Sequence, residues 1–252
     1  MQGSAWGWGS STTIGTFAAA GVAGLVTGVR TVRHPRAITE PALFRSREFT
    51  AAAVALFLFF IAFAAWLLIT VLFLQDVCHY SAVRGGLAIA PGPLTAAVFA
   101  VNSGRIASRV DRAAPAITGT LLIAASAGYW LVAAPAHPAY VTGFLPGLLI
   151  AGAGAGLAQA PLFAAASTLP PDRATTGAAV LNMSRQLGSA VGIAILVALL
   201  ASPHPSALGL FHRGWLLEIA ASVSAAFAVL AVTRVQPVRQ GRLSTAPEPA
   251  PE

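Results

Sequence analysis

Apolar residues along this chain run in blocks separated by short polar stretches, without the strict alternation of a half-buried strand. Seven blocks stand out, at residues 11–29, 51–74, 83–103, 115–134, 140–167, 175–200 and 214–233. Each is near the ~20 residues that carry a helix across ~30 Å of hydrocarbon. The first is the weakest, being short and rich in Thr, Gly and Ala. Inside a bilayer a helix satisfies its own backbone polar groups, so the pattern predicts an all-α polytopic membrane protein of about seven transmembrane helices.

The block at 175–200 differs from the rest because it carries Asn182, Arg185 and Gln186 within its apolar run. At about 100° per residue, Ala178, Asn182, Arg185, Ser189 and Gly192 share one helix face, with Gly188 beside them. Val180, Met183, Leu187, Val191 and Ala194 share the other. Gly188-x-x-x-Gly192 lets a second backbone approach closely. An arginine at the centre of a membrane helix costs about 2.5–3.5 kcal/mol on insertion scales, so Arg185 requires a protein or water partner. Two readings of it stay open. It is a structural arginine reaching carbonyls or a neighbouring carboxylate, since ~15 Å from the start of the block is partly within snorkelling reach. Or it acts directly on substrate or in proton coupling.

Composition agrees with the membrane reading. Of the 252 residues only 9% are charged, against about 25% in soluble domains, and mean hydropathy is +0.75. The net charge of +7 does not signal nucleic acid, because the basic residues are all arginines concentrated in the connections between blocks. Arg30, Arg33, Arg36, Arg45 and Arg47 follow the first block, Arg105, Arg109 and Arg112 the third, Arg173 the fifth, and Arg234, Arg239 and Arg242 the last. The alternate connections hold only Arg84 and Arg213. That asymmetry puts the C-terminus in the cytoplasm and the N-terminus outside, in the cell (inner) membrane. One cysteine, Cys78, excludes an internal disulfide framework. The tail 234–252 is Pro-rich and polar, and reads as a disordered cytoplasmic end.

Two blocks are interrupted. Pro91-Gly92-Pro93 lies mid-way through the third, and the fifth holds Pro146, the glycines of Gly152–Gly156, and Pro161. Proline removes a backbone donor and breaks or kinks a helix. Kinking for packing and a close-packed helix lining a cavity are both open readings. No catalytic set is visible. The five histidines are scattered without metal-binding spacing, so the expectation is no cofactor, no metal and no enzymatic chemistry. Glu218 is the one acid within a block. It lies about one turn inside the last of them, near Arg213, and reads as an interfacial charge; a proton carrier would have to face a wet cavity at depth. Asp76 and Arg84 flank one outer loop and read as an ordinary loop-end pair, with an outer gate as the sharper alternative.

In order along the chain stand P-A-L-F-R-S-R-E-F at 41–49, G-L-A-I-A-P-G-P-L at 86–94, G-R-I-A-S-R-V-D-R at 104–112, the A-G-A-G-A-G-L run with Pro161, and N-M-S-R-Q-L-G-S-A-V-G at 182–192. Together they resemble the C-terminal half of the major facilitator superfamily, in its fourteen-helix drug:proton antiporter branch. The resemblance implies a linker helix and an Arg-rich loop over 1–50, then a six-helix bundle over 51–233. Gly104, Arg105, Arg109 and Arg112 would belong to the cytoplasmic loop motif, from which Ser108 and Asp111 depart. Asn182, Arg185 and Gln186 match the penultimate-helix motif. The spans at 51–74, 83–103, 140–167 and 175–200 would line a cavity, with the other two supporting them.

The resemblance further implies an exporter of small amphipathic molecules, with protons as the coupling ion. Its partners would be the lipid bilayer, a small-molecule substrate, and an N-terminal half that this sequence does not contain. The alternative is a truncated or degenerate fragment that does not transport, or a scaffold. Topology is directly testable. Reporter fusions after Gly104 and after Arg234 are both expected to read cytoplasmic, and an outside signal at either position would overturn the seven-span arrangement.

Overall fold

The computed structural model describes residues 41–107, 109–110, 113–133, 140–201 and 207–233, together with Gly15, Val22 and Val26. Apart from those three residues, the first block at 11–29 lies outside the described residues, as do Ser108, Asp111, Arg112 and the tail 234–252. All regular structure among the described residues is helical, and six helices are long and apolar enough to cross a membrane. The chain is an all-α polytopic membrane protein.

Helix α1 (Arg47–Leu72) starts at Ser46, whose hydroxyl accepts from the Phe49 N–H at 3.3 Å, with Glu48 in the first turn. Both features answer the unpaired donors and positive dipole end of a helix start. The helix winds on into a π turn, Phe73–Val77. Helices α2 (Ala82–Ile89) and α3 (Pro91–Ala107) make a single crossing broken at Ala90. Pro91 has no N–H to donate back along α2, yet as the first residue of α3 it forfeits nothing. The break falls about a third of the way along the crossing instead of mid-way.

Helix α4 (Ala114–Ala133) is followed by a π turn, Tyr140–Phe144, that leads into α5 (Leu145–Ala164). Pro146 therefore sits in the first turn of α5, where its missing donor would be unpaired in any case, and it does not break the helix. Pro161 is inside α5 one turn from its end, where the chain tightens into a 3-10 turn, Ala165–Thr168. Helices α6 (Pro171–Leu200) and α7 (Ala207–Thr233) both begin earlier than their apolar blocks. Hydropathy marks where a helix enters lipid, whereas the helix itself starts where Pro171 or the Ala207 turn allows it.

The helices form an open arc. Helix α6 packs on α1, α1 on α7, α7 on α4, α4 on α5 and α5 on α3, and a smaller α1–α5 contact closes the centre. One end of the bundle is filled by rings. Trp130 stacks on Phe144 with centroids 5.3 Å apart, Phe73 meets Phe211 edge-on at 5.4 Å, and Trp215 joins both clusters. The Trp130 indole N–H donates to the Phe144 carbonyl at 3.2 Å, and the Ser126 hydroxyl to the Gly147 carbonyl at 2.8 Å.

Glycine decides how closely the helices approach. A Cβ on Gly152 or Gly156 would fall on the Gly92 or Ala96 carbonyl oxygen of α3. Gly119 of α4 and Gly154 of α5 block each other in the same way, and on α6 Gly188 and Gly192 lie against the Phe57 and Ile61 carbonyls of α1. Gly188→Ala is accordingly expected to destabilise the bundle by the ~1–3 kcal/mol typical of overpacking, seen as a smaller monodisperse fraction after detergent extraction. Gly128→Ala, where an added Cβ meets nothing within 4 Å, should leave that fraction unchanged.

Candidate functional site

The arc leaves one side uncovered, between its two end helices. Only 11% of the most apolar stretch of the α2–α3 crossing and 17% of that of α6 are buried within the bundle, against 44–67% in the other four crossings. The central helices α1 and α5 stand behind this opening and touch each other. The four spans expected to line a cavity are thus the four that surround the open side.

On α6 the seat against α1 is made by Leu181, Gly188, Gly192 and Leu196, all buried. Asn182, Arg185 and Gln186 are exposed. The small face expected from the sequence is therefore divided: its glycines enter the α1 contact, and its polar side chains flank that contact toward the opening. Arg185 is the fifteenth of thirty residues in α6, about 21 Å from either end at 1.5 Å per residue. Counted from Pro171 it stands mid-way along the helix, further from the helix start than from the start of the apolar block at 175.

The Arg185 guanidinium lies over the Phe60 ring of α1, 5.6 Å from its centroid. Phe60 meets Phe163 of α5 edge-on at 6.4 Å, and Phe59 and Phe63 at 5.1 and 5.7 Å. Because Phe163 belongs to α5, the arginine sits on the inner side of the arc. Among the described residues it has no carboxylate partner; its contact is the face of the ring, a favourable place for a cation.

The other sequence candidates lie elsewhere. Gly92 is buried against Leu148 of α5, and the Tyr140 hydroxyl donates to the Ala88 carbonyl at 2.8 Å, next to the α2–α3 break. Pro91 and Pro93 belong to the first turn of α3. Gly104, Arg105 and Arg109 cluster at the far end of α3, where an Arg105 Nη contacts the Asn102 amide oxygen at 3.4 Å. None of these meets Arg185. At the opposite end Arg84 stacks on the Tyr80 ring at 4.0 Å, and Asp76 is exposed. Burial pushes the Cys78 thiol up, with the positive charge of Arg84 pulling the other way. The described residues contain no group of three His, Cys, Asp or Glu side chains fit to hold a metal.

Glu218 is the residue that sequence reasoning misplaced. It has no exposed surface, and neither carboxylate oxygen has a hydrogen-bond partner among the described groups. It is not an interfacial charge. Helix α7 begins at Ala207, seven residues before the expected start, so Glu218 lies about 16 Å along it. The signal was present in the apolar A-L-G-L-F run at 207–211, which extends the last block backwards. Helix α7 packs between α1 and α4, away from the opening, and Ser222, one turn on, is buried and unpartnered too.

A family model for the Major Facilitator Superfamily matches residues 3–193. A multidrug resistance protein B homolog from Mycobacterium tuberculosis is 30% identical over 66% of this chain and 31% of its own length. A tetracenomycin C resistance and export protein from Streptomyces glaucescens is 29% identical over 80% of this chain and 37% of its own. A methylenomycin A resistance protein from Streptomyces coelicolor is 28% identical over 80% and 42%. The chain thus spans less than half the length of these relatives.

If the polar flank of α6 meets water, thiol labelling will find it. In a Cys78→Ser background, cysteines at Asn182 and Gln186 are expected to react with a membrane-impermeant maleimide in intact membranes. A cysteine at Phe227, exposed on the outside of α7, is expected to stay unlabelled. Equal labelling at all three positions would argue against a wet inner face.

Proposed function

The chain belongs to the Major Facilitator Superfamily, and from that premise we propose that it forms the C-terminal half of a proton-coupled exporter of small amphipathic molecules. The observation that carries this reading is the uncovered α3–α6 side with Arg185 mid-way along α6. A charge there is expensive against lipid and tolerable against a polar cavity or a second bundle. The names of the relatives, which speak of multidrug resistance and antibiotic export, support efflux as the direction.

In this reading a complementary six-helix half covers the opening, and substrate is held between the halves near the bilayer midplane. The glycine contacts lock α6 to α1 and both α3 and α4 to α5, so the arc moves as a body and access alternates by rocking against its partner. The arginine distribution favours a cell-membrane protein with a cytoplasmic C-terminus.

Efflux assays test the proposal. Cells co-expressing this chain with a matching N-terminal half, or expressing the two as one fusion, are expected to accumulate several-fold less of an amphipathic dye than control cells. The chain alone should not lower accumulation. Unchanged accumulation in every arrangement, with the protein folded in the membrane, would overturn transport and favour a non-transporting scaffold.

A further inference from the structure

Resting on the exporter reading, we infer that the open face of this bundle selects aromatic small molecules bearing an anionic group, with Arg185 holding the anion and the half-buried Phe163 beside it taking the ring. The charge content of that face points this way. Among the described residues Arg185 is the one ionisable side chain that stands mid-way along a crossing helix on the inner side of the arc. The acids lie apart from it. Glu48 is in the first turn of α1, about 18 Å along the helix from Phe60. Asp172 opens α6, about 20 Å from Arg185, and it faces Arg173 across 3.8 Å. Asp76 lies beyond the far end of α1, and Glu218 is enclosed on α7.

A guanidinium presents a fork of donors suited to a planar carboxylate or a phenolate, and it repels a cation. Exposed Asn182 and Gln186 flank it within a turn and add hydrogen-bonding capacity without charge. The ring beneath Arg185 does two things. It holds the guanidinium by its face, leaving the edge of the fork for a ligand, and it continues through Phe163 into an apolar wall spanning α1 and α5. An aromatic acid matches both parts, with its charge at the fork and its ring on the half-buried Phe163.

The test compares probes that share a ring and differ in charge. The full chain in phosphatidylcholine nanodiscs is titrated with 2-naphthoate, 2-naphthamide and 2-naphthylmethylammonium, and tryptophan fluorescence reads saturation. Naphthoate is expected to bind at least about tenfold more tightly than the ammonium. Arg185→Gln should abolish that preference while changing amide affinity little, Arg185→Lys should keep part of it, and Phe163→Leu should weaken all three probes. Ammonium binding as tight as naphthoate, an undiminished anion preference in Arg185→Gln, or no saturable naphthoate binding would each overturn the assignment. The comparison on the unmodified chain decides the matter even where Arg185→Gln fails to fold. Loss of the anion preference with efflux intact removes only this selectivity, whereas the exporter reading fails on the accumulation assay.

Discussion

Backbone-to-backbone contact at glycine is the constraint on which this bundle depends. In lipid there is no hydrophobic gain from pressing one apolar helix against another, so association rests on close packing and polar contacts. Gly188 and Gly192 bring α6 onto the carbonyls of Phe57 and Ile61, Gly152 and Gly156 bring α3 onto α5, and Gly119 with Gly154 brings α4 onto α5. Without those contacts the end helices α3 and α6 would each have little else to hold them, because each packs chiefly on one neighbour.

The same contacts set the geometry of the opening. Since the α6 glycines face α1, the residues beside them on the helix surface must flank that seat. Arg185 is thereby carried to the edge of α1, where Phe60 is the surface it meets. The arginine's place is thus a consequence of the glycine register one turn away. The aromatic cluster of Phe73, Trp130, Phe144 and Trp215 fills one end of the bundle, apart from the exposed polar side chains of α6.

Glu218 shows a second consequence of helix packing in a bilayer. Its oxygens are enclosed without a partner on a helix held between α1 and α4, in the same bundle as the unpartnered Thr70 hydroxyl and Trp66 indole N–H of α1. Buried polar atoms without partners are costly, more so for a carboxylate than for a hydroxyl. The opening and this enclosed carboxyl lie on different helices, so the polar chemistry of the bundle is divided between an accessible arginine and an inaccessible acid.

Sequence alone determined the all-α membrane class, the six described crossings, and the singular character of Asn182, Arg185 and Gln186, because a bilayer imposes length and apolarity on every crossing helix. It also carried the family, through motifs in order along the chain. Helix starts were less legible. Pro171 begins α6 in a polar segment that hydropathy passes over, and Ala207 begins α7 in an apolar run split from the last block by His212 and Arg213; that changed how far along its helix Arg185 and Glu218 each stand. Which neighbour each helix chooses was not readable at all. A glycine in a membrane helix announces a close approach without naming the partner, and only the tertiary structure paired Gly188 with Phe57 and Gly152 with Gly92. The division of α6 into a buried glycine seam and an exposed polar flank follows from that pairing, because one helix face can be buried only against a surface that another helix supplies.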